Sequence, residues 1–526
     1  MRLRSVALMF AVGACSPAAP APAPTPSVLG ISADELRQDL HAFAADSFRG
    51  RETGTPDEFR AARWLVRRLT ALGVEPAGDS FYYHRVPLTR QVLGPNTRLT
   101  VRVGQTTVPL GLVTDVIPWA NLGAGAPIPK RNAEGDLFFA GYGLNAHGRN
   151  DFRGLTTAGK VIVMVHAAPP GITDAAVKRQ LDGQDELSNR ILRALQLQPA
   201  AIVLLMTGAT TDFYNQAIPV LTRAVSAGQG DRTTSDTQRP LPMIVIGMAK
   251  AGSPLLPARW PADDAPQALP GRFAARVDLE HEPFTSYNVV GIVRGTDSRM
   301  NKTYVAYGSH YDHSGVQSGM SPDSIANGAD DDGSGVVAML ALAKSFRANP
   351  PRRSVLLVWH SAEEKGLLGS AAFAARPTVP IDSIVAMLNM DMIGRWGGTD
   401  ATFDARTHGE PMANVVYVVG PKAAPNEQSR VLGVIADSVN ARQLVPLTFD
   451  RTWDDPNHPE RIYTRSDHYN YANKGIPVLF FTTGLHEDYH KVGDEASKID
   501  YDKMRRISMM LLELGSTLGN MEARPR

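Results

Sequence analysis

The sequence predicts an α/β protein, a mixed, mostly parallel sheet with helices on both faces, plus an inserted β-rich domain. Three observations predict it. From "YNVVGIVRG" onward, apolar runs ("TYVAYGS", "SVLLVWHS", "SIVAMLNM", "IPVLFFTTG") alternate with amphipathic segments, the pattern of buried strands separated by packed helices. Between about 95 and 280 the texture changes to runs punctuated by Gly and Pro, such as "DLFFAGYG", "KVIVMVHA", "AIVLLMTG" and "PMIVIGM", which read as strands of a separate β-rich or mixed unit. The chain's 526 residues also exceed what one hydrophobic core usually serves.

The N-terminus, "MRLRSVALMFAVGAC", places Arg2 and Arg4 before an apolar run from Val6 to Val12. This is the layout of a signal peptide, too short to remain as a membrane span. Cys15 is the only cysteine in the chain, which excludes intrachain disulfides. Its context, "VGAC", resembles the lipobox at which bacterial lipoproteins are cleaved and lipidated. Residues 1–15 are therefore expected to be a lipoprotein signal, and the Pro/Ala-rich 16–31 an extended tether. Ser16 after the cysteine fits outer-membrane sorting by the same resemblance, and the expected location is the cell envelope.

Folding is expected to begin at Ser32, where "SADE" offers a capping box, Ser32 satisfying first-turn amides and Glu35 reaching back. A second helix is expected over 56–72, ending at Gly73. The chain is thus read as 32–94, the start of the main domain; 95–280, the insert; and 281–526, the catalytic part. In the last part helices are expected over 335–346, 367–375, 427–439 and 501–518. No regular long-period repeat is present. A net charge of +1, with 20 % charged and 43 % hydrophobic residues, gives no electrostatic reason to invoke nucleic acid.

In open α/β sheets ligands bind beyond the carboxyl ends of the strands. Those positions hold His310 and Asp312, then Asp330 to Asp332, Glu363 and Glu364, Asp391, and finally His490. That many carboxylates at one edge repel one another unless cations neutralise them. Imidazole plus carboxylate without thiolate suits zinc. The count implies two ions: His310 and Asp391 on one, Glu364 and His490 on the other, and one aspartate of "DDD" bridging. Each ion then has three protein ligands and room for a shared water, the make-up of a catalytic site. Asp312 is placed to accept the second imidazole N–H of His310. Glu363 is placed to act as general base, and Tyr489 to donate to a developing oxyanion. His313 is given a structural hydrogen-bonding role.

Competing motifs fare worse. "HEDYH", residues 486–490, matches H-E-x-x-H, but that chemistry requires a helix, and glycines on both sides without helical periodicity favour a loop. "ADDDGSG" lacks a glutamate at the twelfth position of a calcium loop counted from Asp330, and no G-x-S-x-G occurs.

The motifs "GSHYDH", "GADDDGSG", "SAEEKGLLGS", "NMDMIG" and "EDYHKVGDE", in this order, together with "YTRSDHYNYANKGIPVLFF", resemble the di-zinc aminopeptidase family that includes glutamate carboxypeptidase and the transferrin receptor. The resemblance covers about 285–515 and, more weakly, 32–90. It implies a phosphorylase/hydrolase-like α/β fold with two zinc ions. It also implies Asp331 as bridging ligand, Glu363 as base, and Glu364, His310, Asp391 and His490 as the remaining ligands. Asp312 matches the histidine-orienting acid and Tyr489 the oxyanion tyrosine. The stretch around "DLFFAGYGLN" looks like an inserted protease-associated domain, although "AHGRNDFRGLTTAGK" departs from the usual acidic segment. The expected activity is a metallo-aminopeptidase acting on peptides. The alternatives are a carboxypeptidase for acidic dipeptides and a peptide-binding relative without catalysis. Glutaminyl cyclisation, a chemistry of single-zinc relatives, is disfavoured by the complete ligand set.

Overall fold

A computed structural model describes residues 30–119, 130–156, 158–227, 241–317, 323–395, 414–424 and 426–525. The expected signal segment, Cys15 and nearly all of the tether lie outside the described residues. No helix among the described residues is long and apolar enough to cross a membrane.

The main sheet contains, in chain order, β1 (Tyr83–Leu93), β2 (Arg223–Ala227), β3 (Leu279–Val293), β4 (Tyr304–His310), β5 (Ser354–His360), β6 (Ile384–Met390), β7 (Val415–Val419), β8 (Thr448–Asp450) and β9 (Val478–Thr482). They are ordered β8-β7-β9-β6-β4-β5-β3-β1-β2, and the short strand Glu75–Pro76 pairs with β3. Its centre, β9-β6-β4-β5, is parallel. Every residue of these four strands is buried, which is why they read as unbroken apolar runs rather than alternating ones. The flanks are antiparallel: β3 against β5, β1 against β3, β2 against β1, and β7 against β9. The sheet is therefore mixed, with a parallel core where the candidate ligands were expected.

Helices cover both faces. One face packs α1 (Ala33–Phe43), α2 (Pro56–Ala71), α3 (Gly335–Ala348), α5 (Glu427–Asn440) and α7 (Tyr501–Asn520) around Leu40, Leu65, Phe346 and Leu511. The other packs α4 (Leu368–Ala375) and α6 (His468–Ala472), through Phe373 and Tyr471, on Val358 and Met387. The helical expectations hold to within two residues at their ends. Gly73 at φ +66° follows α2, with the Val74 amide donating back to the Leu69 carbonyl, the left-handed stop that only glycine adopts without strain.

The capping box expected at Ser32 does not form. The Ser32 side chain makes no cap bond, and Glu35 instead pairs with Lys344 of α3 at 2.8 Å, a tertiary partner that competes with the local one. A related arrangement caps the next helix. The Thr55 hydroxyl accepts from the Glu58 amide at 3.3 Å and Pro56 opens the helix, while Glu58 reaches back to the Gly54 amide at 2.7 Å.

A second sheet of eight strands is built wholly from 98–276. Its central strands Asn132–Phe139, Val161–His166, Ala201–Met206 and Met243–Met248 are parallel, with an apolar core on each face. The segment also contains helices at Ala175–Asp182, Gln184–Leu195 and Thr211–Thr222. It leaves and rejoins the main sheet through the long β1–β3 ribbon, in which Leu93 faces Leu279. It also sends β2 back to form the main sheet's edge.

Candidate metal centre

The parallel strands deliver their polar residues to one edge. His310 ends β4, Glu363 and Glu364 follow β5, Asp391 directly follows β6, and His490 lies beyond β9. Asp331 comes from the turn 329–334 that leads into α3. His310 Nε2 lies 3.2 Å from Asp331 Oδ1 and 3.6 Å from Asp391 Oδ1. His490 Nε2 lies 3.2 Å from Asp331 Oδ2 and 3.1 Å from Glu364 Oε2. Asp331 thus presents one oxygen to each histidine. Ligands about 2.0–2.2 Å from a tetrahedral zinc lie roughly 3.3–3.6 Å apart, so these spacings suit the ligand edges of two adjacent cation sites. Buried Asp331 Oδ2 has no hydrogen-bond donor, which also fits a cation-binding oxygen.

The electrostatics agree with this. Burial, Asp391 and Glu364 push the Glu363 carboxyl well above its usual range, although His310 opposes them. Its neighbour Glu364 is held low: burial works against this, but His490 and a hydrogen bond from His313 outweigh it. Two consecutive carboxyls are thus shifted in opposite directions, the condition for one to serve as base while the other stays anionic. Burial lowers the affinity of His310 and His490 for protons, yet the facing carboxylates Glu363 and Asp391, and Glu364, raise both well above an ordinary imidazole. The pocket is built for positive charge.

The flanking aspartates of "DDD" organise the backbone. Asp332 accepts from the Ser309 hydroxyl at 2.7 Å and from the amides of His310, Gly335 and Met392 at 3.0–3.2 Å, tying the ends of β4 and β6 to α3. Asp330 accepts from the Gly394 amide at 2.7 Å. The amides of Asp330 and Asp331 both donate to the Asp494 carboxylate at 3.0 Å. Gly328, at φ +55°, is required: a Cβ there would lie 2.5 Å from His313 Cδ2.

Asp312 differs from its expected role. His310 Nδ1 lies 3.1 Å from the Asp312 backbone carbonyl and 3.9 Å from its carboxylate. The chain turns just past β4, which brings the carbonyl under the ring, and the carbonyl fixes the tautomer in place of the side chain. The carboxylate accepts from the Thr53 hydroxyl at 2.7 Å and from the Glu363 amide at 3.1 Å, so it positions the segment carrying the candidate base. "HEDYH" lies in turns rather than a helix; His486 faces Asp330 at 3.4 Å while only His490 enters the site. His313 Nδ1 donates to the Glu364 carboxylate at 2.7 Å, in keeping with a hydrogen-bonding role. Tyr489 stacks on His490, ring centroids 3.8 Å apart, with its hydroxyl on Arg465.

Two groupings of atoms within 4.8 Å emerge from geometry alone: His310, Glu363 and Asp391, and His313, Asp331 and Glu364. The first includes Glu363, which the sequence assigns as base. Glu363 is 3.9 Å from His310 Nε2, the longest of that atom's carboxylate distances, and burial pushes its carboxyl well above the usual range, while Asp391, also raised by burial, stands closer to the imidazole. Base is the role these two facts favour.

Sequence reasoning missed Arg51. It is fully buried and donates to the carbonyls of Tyr311, Asn327 and Gly328 at 2.9, 2.6 and 3.0 Å, stapling the turn after β4 to the turn before Asp331. Burial pulls its guanidinium down to about 10, so it remains cationic at neutral pH beside the acidic cluster. Arg51→Met leaves three buried carbonyls without donors, and the expected loss of unfolding free energy is on the order of 3 kcal/mol. Urea denaturation of the metal-free protein measures it; a loss under about 0.5 kcal/mol, the range of an ordinary surface change, contradicts the stapling role. Ser466 was also missed: its hydroxyl donates to Asp391 at 2.7 Å and accepts from Asn389 at 2.8 Å. Its position in a polar run ahead of β9 was the only available signal.

Comparison with known proteins agrees with this geometry. Residues 288–515 match the profile of Peptidase family M28, a span containing all the candidate ligands, Glu363 and Tyr489. Curated relatives include Leucine aminopeptidase 1 of Uncinocarpus reesii, 26 % identical over 50 % of this chain and 64 % of its own length. A probable zinc metalloprotease of Pyricularia oryzae is 26 % identical over 45 % of this chain and 51 % of its length. The chain thus spans between half and two-thirds of these relatives. Among solved structures, an aminopeptidase from Aneurinibacillus sp. strain AM-1 superposes with a TM-score of 0.52 at 18 % identity, covering 94 % of this chain and 96 % of that one. A zinc aminopeptidase from Bacillus subtilis gives 0.52 at 15 % identity over 94 % and 98 %. These two likenesses establish the fold. The matched profile and the strand-end site together make residues 288–515 similar to Peptidase family M28.

Proposed function

We propose that this protein is a zinc-dependent exopeptidase, an aminopeptidase that removes N-terminal residues from peptides. The observation that carries the reading is Asp331, whose two carboxylate oxygens face His310 on one side and His490 on the other. His310, Asp331 and Asp391 would hold one zinc ion, and Asp331, Glu364 and His490 a second. When bound, the ions supply Lewis acidity that polarises a carbonyl and acidifies a water. Glu363, with its raised proton affinity, takes a proton from the attacking water and returns it to the leaving amine. Tyr489 donates its hydroxyl to the oxygen that gains charge. Ser466 and the Asp312 carbonyl keep Asp391 and His310 oriented. The names of the curated relatives, leucine aminopeptidase and zinc metalloprotease, support the same reaction class. The proposed setting is the cell envelope, with Cys15 as the lipid-bearing residue and membrane contact through that anchor. Residues 95–280 are proposed to be a protease-associated-like insert.

Metal analysis of the purified protein is expected to give two zinc ions per chain, and dialysis against a chelator to abolish hydrolysis until zinc is restored. A panel of free aminoacyl anilides and their N-acetylated forms is expected to show cleavage of the free forms only. Cleavage of N-acetylated dipeptides that depends on a free terminal carboxylate would assign carboxypeptidase action instead. Less than one tightly bound ion per chain would remove the metallopeptidase reading altogether.

A further inference from the structure

We propose that Arg465 is a positioning residue that holds the Tyr489 hydroxyl as a hydrogen-bond donor for the reacting carbonyl oxygen. The inference rests on the peptidase reading of the site. Arg465 follows the short helical turn Ile462–Thr464. Its Nη1 donates to Glu460 at 3.0 Å and its Nη2 to the Tyr489 hydroxyl at 3.2 Å. The guanidinium carbon lies 5.8 Å from the centre of the Tyr489 ring. One carboxylate thus anchors the guanidinium while its other arm meets the phenol.

The consequence follows from hydrogen-bond inventory. A phenol has one proton to donate and an oxygen that can accept. Arginine can only donate, so its bond to Tyr489 uses an acceptor position and leaves the phenolic proton unspent. Among the described residues the Tyr489 hydroxyl accepts from Arg465 and meets no acceptor for its own proton. A cationic donor on a phenol oxygen also strengthens the remaining O–H as a donor. The ring is fixed from the other side by stacking on His490 at an interplanar angle of 24°. Position and polarity of the hydroxyl are therefore set before substrate arrives, the condition for stabilising charge that develops only in the transition state.

Arg465 is also the first of three consecutive residues that grip three different parts of the centre. Ser466 donates to Asp391 at 2.7 Å, and Asp467 pairs with His360, the last residue of β5, at 3.2 Å. The tripeptide 465–467 sets the proposed oxyanion donor and one metal ligand from a single turn of chain, so the two keep a common register.

The test is a double-mutant cycle on the zinc-loaded full chain, comparing Arg465→Met, Tyr489→Phe and both together, with Arg465→Lys as the conservative variant. Arg465→Met is expected to lower kcat about tenfold with KM changed less than about twofold, and Tyr489→Phe to lower kcat about a hundredfold. Once Tyr489→Phe has removed the hydroxyl, adding Arg465→Met is expected to cost nothing further. In the otherwise unmutated chain, Arg465→Lys is expected to keep most of the kcat that Arg465→Met loses. Equal losses from Arg465→Met with and without Tyr489→Phe, or a loss confined to KM, would overturn the proposal. A readout independent of turnover is the 13Cζ tyrosine resonance of the metal-free protein, assigned to Tyr489 by its absence from Tyr489→Phe. It is expected to move in Arg465→Met, and an unmoved resonance overturns the contact. Should Arg465→Met not fold, the same two readouts on Arg465→Gln decide. If the unmutated enzyme cleaves no peptide, the peptidase reading fails, and the resonance still reports separately on Arg465 and Tyr489.

Discussion

Glu363→Ala is expected to reduce kcat on the order of a thousandfold while both proposed zinc ions stay bound. The magnitude is that of a positioned general base. Retention of metal is the part that separates roles, because Glu363 lies within reach of His310 and Asp391 and a ligand role is sterically open. Its 3.9 Å separation from His310 Nε2 and its raised proton affinity argue for proton transfer instead. Steady-state kinetics with metal quantified on the same sample decides: loss of one ion per chain in Glu363→Ala would make it a ligand and leave the base unassigned. Glu363→Gln, which keeps the volume and removes the basicity, is expected to match the alanine variant in kcat.

Asp331→Asn is expected to be more severe, taking activity to background and bound zinc below one ion per chain. Among the described residues Asp331 is the single side chain facing both histidines, and its carboxyl is held well below the usual range: burial opposes this, but His310, His313 and His490 outweigh it. An amide offers one neutral oxygen where the carboxylate offers two anionic ones, so both proposed sites weaken together. The effect is also visible in stability. Ligand that binds only the native state raises stability by about 4 kcal/mol at a thousand times its Kd. Thermal melts with and without zinc are therefore expected to separate widely for the unmutated protein and to nearly coincide for Asp331→Asn. A variant that still shows the full zinc-dependent rise in Tm contradicts the bridging assignment.

The residues facing the proposed ions were legible because strand chemistry makes them so. A parallel strand buried on both faces is written as an unbroken apolar run, and His310, Glu364 and Asp391 stand where such runs stop. What supports them was not legible. Arg51 acts through backbone carbonyls some 260 to 277 positions away, and a carbonyl has no letter in the sequence. Asp312 was assigned by its side chain, while its main chain holds the histidine. Ser32 and Glu35 form a valid local cap pattern that Lys344, 309 positions later, dissolves. Which strands of the mixed sheet run antiparallel was not legible either, since runs of apolar residues report burial and not the direction of a neighbour.

The β1–β3 ribbon has a practical outcome for anyone trimming this molecule. Because Leu93 and Leu279 are cross-strand neighbours, a two-residue reverse turn could splice them and delete nearly two hundred residues without stretching the backbone. The excision would, however, also take away Arg223–Ala227, which cover Leu88 to Val92. The shortened chain would then carry a bare row of amides and carbonyls along its flank, an invitation to self-association unless a lysine or proline is written into that rim.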